Sequence, residues 1–175
     1  SDLDVAAEKV CGAAFESQGQ NYIHTQRIIL SSEVEEYFTN RMIDITSGLR
    51  MGDPHDISTD IGPMISESKA EDTENVILEA VEDGGELVSG GQREGKFIRP
   101  TIVRNVSMKS RLWTNEVFAP VCCISVAKSL NEAIGLANDT SYGLQAGIFT
   151  SDLNVARIAS EKLDFGTVLI NETSD

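Results

Sequence analysis

Three cysteines are the side chains in this sequence best suited to covalent chemistry, because a thiolate is a strong nucleophile. Cys122 and Cys123 are adjacent in the apolar run 121–126, so in a strand their side chains point to opposite faces. Cys11 lies among apolar residues that recur at helical spacing. These surroundings predict that all three thiols are reduced, buried and part of the core, and no disulfide framework is expected.

Two histidines could exchange protons near neutral pH. His24 could act as a base or as a polar lining group, but a loop histidine held by hydrogen bonds is the favoured interpretation. His55 follows Pro54 in a long loop and is predicted to be solvated. Neither histidine stands at a metal-ligand spacing such as Cys-x-x-Cys or His-x-x-x-His, so the sequence predicts no metal site.

Helical and extended patterns alternate along the sequence. Capping patterns and apolar spacing predict helices that begin at Ser1, Ser32, Ser68, Ser129 and Ser151. Extended segments are predicted at 27–30, 86–89, 97–98, 101–103, 121–126, 144–149 and 167–170, with a long loop at 52–66. The almost wholly apolar run 121–126 is typical of a strand covered on both faces. The sequence therefore predicts an α/β fold with a mostly parallel sheet and helices on both faces.

The formal net charge of −14 limits the possible partners. Such a surface repels nucleic acid and anionic lipid, so neither is expected to bind. No apolar run approaches the roughly 20 residues needed to span a bilayer. The first residues also lack a basic region followed by an apolar stretch, so we expect a cytoplasmic protein. The sequence opens inside a helix and stops just after the strand 167–170, predicted to be buried, so we expect it to be part of a longer protein.

Seven short motifs, in order along the chain, resemble the catalytic domain of aldehyde dehydrogenases. They are Gly19-Gln20 with Tyr22 and Arg27, Gly52-Asp-Pro54, Ile61-Gly-Pro-Met-Ile65, Gly95-Lys-Phe-Ile-Arg-Pro-Thr-Ile102, Asn115-Glu-Val-Phe-Ala-Pro-Val121, Asn138 with Tyr142-Gly-Leu144, and Gly166-Thr-Val-Leu-Ile-Asn171. Each motif alone is weak, but seven in register across nearly the whole chain are specific.

The resemblance implies that residues 1–175 form a single catalytic-type α/β domain. The family's nucleotide-binding domain and oligomerisation arm are absent from these residues. For the parent protein it implies NAD or NADP as cofactor, a small aldehyde as substrate and a homo-oligomeric assembly. Because the nucleotide-binding domain lies outside residues 1–175, we expect this chain alone to bind neither cofactor.

Tyr22 stands where the family has its nucleophilic cysteine, two residues after Gly-Gln. A phenol with a pKa near 10 is roughly one-thousandth ionised at neutral pH, and its oxygen lies further from the backbone than a thiol sulfur. The resemblance therefore implies an inactive site. Three interpretations of Tyr22 stay open: a side chain that fills the substrate tunnel of a non-catalytic member, a substitution in an enzyme that otherwise has cysteine, or a new catalytic group. Its backbone N–H could still face an oxyanion.

Two further residues resemble the family's cofactor contacts. Glu116 corresponds to the carboxylate that holds the nicotinamide ribose, since one carboxylate can accept two hydroxyl hydrogen bonds. Phe118 corresponds to the aromatic residue near the nicotinamide ring, and Ala119 replaces a family glycine. The alternative for Glu116 is a surface or capping carboxylate. Asn171 falls near the substrate side in the resemblance, or is simply a turn residue.

The sequence thus predicts a fragment or degenerate copy of an NAD(P)-dependent aldehyde dehydrogenase. A non-catalytic pseudoenzyme or interaction domain of the same fold is the alternative. A reductase of similar architecture, such as a relative of glutamyl-phosphate reductase, is a third hypothesis.

Overall fold

The computed structural model describes residues 2–173, which contain eight strands and six α-helices. The strands are β1 (Arg27–Ser31), β2 (Glu86–Ser89), β3 (Arg93–Glu94), β4 (Phe97–Ile98), β5 (Thr101–Arg104), β6 (Val121–Ala127), β7 (Gln145–Ile148) and β8 (Thr167–Ile170). The helices are α1 (Leu3–Phe15), α2 (Glu35–Ser47), α3 (Glu67–Glu82), α4 (Arg111–Thr114), α5 (Leu130–Asn138) and α6 (Leu153–Lys162).

A four-stranded sheet in the order β1-β6-β5-β2 forms the centre. β6 pairs in parallel with β1, where Arg27 lies opposite Cys123, and in parallel with β5, where Val103 lies opposite the same residue. β2 adds an antiparallel edge to β5. β3 and β4 form a separate antiparallel hairpin, and β7 and β8 a separate parallel pair. The mostly parallel α/β fold is confirmed.

Both faces of this sheet are covered by helices. Helices α1 and α2 pack on one face, in a cluster that includes Cys122 and Ile124 of β6. Helices α3 and α4 pack on the other, in a cluster that includes Val121 and Cys123. Cys122 and Cys123 therefore point to opposite faces, and every residue from 121 to 125 is buried. The alternation explains why the strand reads as a continuous apolar run.

The β7–β8 pair stands apart from the central sheet and is less buried than the sequence suggests. No residue of β8 is buried, so the prediction of a buried last strand was wrong. The pair closes at Asn171, whose N–H donates to the Ile148 carbonyl at 2.7 Å and whose Oδ1 accepts from the Thr150 N–H at 2.8 Å. Asn171 has a φ of +57°, so it is a turn residue in this fold.

Several predicted helix starts are displaced by a few residues. Ser1 lies outside the described residues, and Asp2 caps α1 by accepting from the N–H groups of residues 4 and 5. Ser32 does not begin α2, because its N–H donates to the Ala127 carbonyl and so continues the strand ladder. Ser66, rather than Ser68, caps α3. Asp152 caps α6 in place of Ser151. No helix within residues 2–173 is long and apolar enough to cross a membrane.

Arg27, at the start of β1, fixes α5 against the central sheet. Its guanidinium donates to the carbonyls of Leu136, Ala137 and Asp139 at 3.2, 2.9 and 3.5 Å. These carbonyls end α5 and have no partner within the helix, so a cation there also meets the negative end of the helix dipole. The same group lies 5.0 Å from the centroid of the Trp113 ring.

We expect Arg27→Met to lower the free energy of unfolding by about 2 kcal/mol, because several charge-assisted hydrogen bonds to helix carbonyls are lost. Arg157→Met is the control. Arg157 pairs with Glu161 at 2.8 Å on the exposed face of α6, where such pairs contribute less than about 0.5 kcal/mol. Urea unfolding followed by the emission of the single tryptophan, Trp113, measures both values. Equal losses in the two variants would contradict the anchoring role of Arg27.

Candidate active site

A left-handed turn leads from α1 into the segment that carries Tyr22. Ser17, Gln18 and Gly19 have consecutive φ values of +51°, +58° and +63°. Non-glycine residues pay roughly 1–2 kcal/mol each for this conformation, so other contacts must hold it. With its amide oriented to satisfy both partners, Gln18 donates to the Ser17 carbonyl at 3.1 Å and accepts from the Gly62 N–H at 2.8 Å. The capping and spacing patterns gave no sign of this turn.

Gly19 brings this turn into direct backbone contact with the segment before β6. A Cβ atom at Gly19 would lie 2.1 Å from the Ala119 carbonyl oxygen and 2.5 Å from its carbon. Both residues are buried. Only glycine allows this approach, and its positive φ also favours glycine. Glycine is therefore required at position 19 because the backbone of Ala119, in the motif 115–121, lies too close for a side chain.

Gln20 joins a third motif to the same place. Its Oε1 accepts from the Ile65 N–H at 2.9 Å, while its own N–H donates to the Ser17 carbonyl at 3.0 Å. Three segments that are far apart in the sequence, 19–22, 61–65 and 115–121, therefore meet on one side of the fold.

Tyr22 lies two residues after Gln20, and its side chain is exposed. The residue is 73% exposed and lines a cavity of about 1000 Å³ together with Asn115 and Glu116. β1 and β7 flank this cavity, and residues of α5 and α6 contribute to its wall. Within residues 2–173, β1 pairs only with β6 and β7 only with β8, so each strand presents a free edge.

Glu116 and Phe118 belong to a short turn, residues 115–118, which we call the Glu116 turn. Both side chains are exposed, and the Glu116 carboxylate has no hydrogen-bond or ion-pair partner within residues 2–173. The Glu116 N–H donates to the Tyr142 hydroxyl at 3.2 Å. Phe118 has a φ of +57°, an unusual value for an aromatic residue. Strained residues of this kind are concentrated at functional sites.

The Gln26 side chain binds the backbone of the Glu116 turn and the preceding helix, and no sequence motif indicated this role. Its Nε2 donates to the carbonyls of Leu112 and Asn115 at 2.7 and 2.8 Å. Its Oε1 accepts from the Val117 N–H at 2.9 Å. The sequence shows only a polar residue just before a short apolar strand, which also fits an ordinary strand end.

His24 is largely buried beside the same cavity. Burial lowers the pKa of His24 to about 4, and a hydrogen bond to the Ala14 backbone opposes this shift only in part. Its Nε2 atom is buried and has no hydrogen-bond partner in the described chain. His24 is therefore neutral at pH 7 and less satisfied than the hydrogen-bonded loop histidine that the sequence predicted. His55 is exposed, with its Nδ1 at 2.9 Å from Asp53 Oδ1.

The three thiols are buried in the core, as the sequence predicted. Burial raises the pKa of Cys11 to about 11 and that of Cys123 to about 12, and raises the pKa of Cys122 well above its usual value. Thiols in this state are inert, because the thiolate is the reactive form. Among residues 2–173, no three His, Cys, Asp or Glu side chains come together in a way that could hold a metal ion.

A sequence profile of the aldehyde dehydrogenase family matches residues 1–175. The chain belongs to the aldehyde dehydrogenase family. An aldehyde-dehydrogenase-like protein of Sinorhizobium fredii is 43% identical over 174 residues, which cover 99% of this chain and 34% of that protein.

Two solved aldehyde dehydrogenases of known cofactor share the fold. Glyceraldehyde-3-phosphate dehydrogenase of Methanocaldococcus jannaschii, complexed with NADP, is 36% identical with a TM-score of 0.95, over 99% of this chain and 38% of that chain. Betaine aldehyde dehydrogenase of Staphylococcus aureus, complexed with NAD+, is 29% identical with a TM-score of 0.95, over 100% of this chain and 36% of that chain. The family therefore uses NAD or NADP. The chain spans about a third of the length of these relatives.

We expect Gly19→Ala to destabilise the protein by about 2–4 kcal/mol, because it adds a steric clash with Ala119 to the cost of a positive φ. Gly95→Ala is the matched control, since Gly95 has a φ of +57° and a Cβ atom added there would meet nothing within 4 Å. That variant should lose only about 1–2 kcal/mol. Urea unfolding separates the steric clash from the backbone cost, and equal losses would show that the Gly19–Ala119 approach is not tight.

We expect Tyr22→Cys to create one thiol that reacts rapidly with a chromogenic aryl disulfide in the folded protein at pH 8. The three native thiols should react at least ~100-fold more slowly until urea is added, because they are buried and protonated. Tyr37→Cys is the control, since Tyr37 is an exposed tyrosine on α2, outside the site. If Tyr22→Cys reacts as slowly as the native thiols, residue 22 does not face the cavity mouth.

Proposed function

We propose that residues 1–175 form the catalytic-domain portion of an NAD(P)-dependent aldehyde dehydrogenase in which Tyr22 occupies the position of the nucleophilic cysteine. The nucleotide-binding domain and the oligomerisation arm would lie outside these residues. The chain as it stands would then not oxidise aldehydes to carboxylic acids. The observation that best supports this proposal is the contact between three family motifs, at 19–22, 61–65 and 115–121. Tyr22 of the first motif and Glu116 of the last line the same cavity.

The proposed loss of activity follows from the chemistry of the phenol. Aldehyde oxidation of this type begins with attack by an ionised, soft nucleophile on the carbonyl carbon. A phenol is scarcely ionised at neutral pH, and its oxygen sits beyond the position of a cysteine sulfur, so attack geometry is lost. The other thiols cannot replace it, because Cys11, Cys122 and Cys123 are buried in the core. The backbone N–H of Tyr22 remains a donor that could stabilise an oxyanion.

The Glu116 turn fits the proposed role of holding the cofactor. When bound, NAD or NADP supplies the hydride acceptor of the reaction. The exposed Glu116 carboxylate, without another partner in residues 2–173, can accept hydrogen bonds from both hydroxyls of the nicotinamide ribose. The partly exposed Phe118 ring would supply an apolar surface beside the nicotinamide. Because the rest of the nucleotide site would lie outside residues 1–175, we expect no cofactor binding by this chain alone.

A non-catalytic role of the same fold is the second candidate. Tyr22, Ile65 and Phe118 expose 73%, 77% and 40% of their surface around the motif junction. Exposed apolar side chains at one place are typical of interaction surfaces. In this interpretation Tyr22 fills the tunnel or contacts a partner, and the ancestral reaction is lost.

The proposed substrate class is a small aldehyde, and no particular aldehyde is assigned. The two solved relatives act on chemically different aldehydes, as their names state, so the fold alone does not select one. A homo-oligomeric, cytoplasmic parent protein, without nucleic-acid or membrane partners, completes the proposal. The net charge of −14 supports the exclusion of polyanionic partners.

The decisive experiment is to place Tyr22→Cys in the full-length parent protein and measure NAD(P)H formation with small aldehydes. We expect no turnover with Tyr22 and clear turnover with cysteine, because loss of a nucleophile can lower kcat by about a millionfold. Tyr22→Ser is the control that removes the ring without supplying a thiol. Turnover that appears in Tyr22→Cys but not in Tyr22→Ser supports a lost nucleophile. If the protein with Tyr22 turns over as fast as Tyr22→Cys, the proposal is refuted. If the Tyr22→Cys protein binds the cofactor but still does not oxidise aldehydes, the non-catalytic role is favoured.

A further inference from the structure

We infer that Gln26 is a positioning residue that holds the Glu116 turn at the cofactor, an inference that rests on the proposed function. The hydrogen bonds of the Gln26 side chain go to residues 112, 115 and 117, and in this proposal Gln26 does not bind the cofactor itself. It would act through the backbone of residues 112–117, which its side-chain amide joins to the central sheet.

The backbone of Gln26 is fixed by the most buried strand of the fold. Its carbonyl accepts from the Cys123 N–H at 2.8 Å, and Cys123 is fully buried in β6. The next residue, Arg27, is paired in the β1–β6 ladder and anchored to α5. The side chain of Gln26 therefore projects from a rigid base, which is the requirement for positioning another group.

Three hydrogen bonds fix the orientation of the Gln26 side-chain amide. Its two Nε2 hydrogens go to Leu112 and Asn115, whose carbonyls lie at the end of α4. Its Oε1 takes the Val117 N–H. Because the nitrogen faces only acceptors and the oxygen a donor, the amide cannot rotate by half a turn without losing all three bonds. The turn is therefore held in one orientation.

The Tyr142 hydroxyl completes the arrangement from the segment that leads into β7. It accepts from the Glu116 N–H at 3.2 Å, while Gln26 accepts from the next N–H, that of Val117. The two successive N–H groups at Glu116 and Val117 are thus both bound. The Glu116 carboxylate is not used by either contact, so the turn is fixed while the carboxylate stays available.

The strain at Phe118 makes this support necessary. A phenylalanine with a φ of +57° is disfavoured unless its surroundings impose the conformation. Gln26 holds the residue immediately before it, and the Gly19–Ala119 approach holds the residue after it. Loss of the Gln26 amide frees the turn to relax, and displacements near 1 Å at such a site can lower activity about a hundredfold.

The test uses the full-length protein and compares NAD+ with AMP by isothermal titration calorimetry. AMP lacks the nicotinamide ribose, so a displaced Glu116 turn should weaken NAD+ and leave AMP unchanged. We expect about a 10- to 100-fold weaker NAD+ affinity in Gln26→Met, which keeps the side-chain length but removes the three hydrogen bonds. Tyr142→Phe should weaken NAD+ about two- to tenfold, since one hydrogen bond is lost.

Two controls separate the possible failures. Ile77→Val shortens a buried side chain of α3 and reports general destabilisation, which should leave both affinities unchanged. Glu116→Gln tests the carboxylate itself. If Glu116→Gln weakens NAD+ while Gln26→Met behaves like Ile77→Val, the positioning role is wrong and the proposed cofactor contact stands.

The remaining outcomes are also decisive. If Glu116→Gln leaves NAD+ affinity unchanged, or the full-length protein binds no NAD+ or NADP+, the proposed function of the turn fails and this inference fails with it. If Gln26→Met is unfolded by circular dichroism, Tyr142→Phe decides: selective loss of NAD+ supports the held turn, and unchanged affinity refutes it. Equal loss of AMP and NAD+ in either variant indicates a general structural effect and also refutes it.

Discussion

The close backbone approach between Gly19 and Ala119 is the constraint on which the candidate site depends. A side chain at residue 19 would separate two segments that lie far apart in the sequence. Around this contact, Gln20 accepts from the Ile65 N–H and Gln26 donates to the carbonyls of Leu112 and Asn115. Gly19 and Ala119 are buried at this contact, whereas Tyr22, Ile65 and Phe118 around it are exposed. The arrangement therefore requires a residue without a side chain at position 19.

Much of the central fold could be predicted from local patterns. The apolar run 121–126 indicated a strand covered on both faces, and Cys122 and Cys123 indeed point into separate clusters. The helix α5 begins at its predicted cap, Ser129. Predictions failed where a tertiary contact competed with a local signal. Ser32 has a capping pattern, but its N–H completes the ladder to β6. The four-residue helix α4 is too short to show a periodic pattern.

The candidate site was predictable in part, and for a physical reason. Tyr22, Glu116 and Phe118 could be named because motifs mark side-chain identity, although their proposed roles still await experiment. The sequence did not reveal the left-handed turn before Tyr22 or the hydrogen bonds of Gln26 to residues 112, 115 and 117, because both depend on backbone groups. A carbonyl oxygen is present at every residue, so no sequence pattern distinguishes the ones that are bound. The burial of His24 was missed because it depends on packing around the cavity rather than on neighbouring residues.

Within residues 2–173, β1 and β7 each have one edge that pairs with no other strand, and this has a consequence for the association of the isolated chain. Each offers a row of backbone donors and acceptors along an open cavity, and such rows are templates for pairing with another molecule. Mutual repulsion between copies that each carry a net charge of −14 opposes that association. Because added salt shortens the range of this repulsion, we expect higher ionic strength to favour association of the chains.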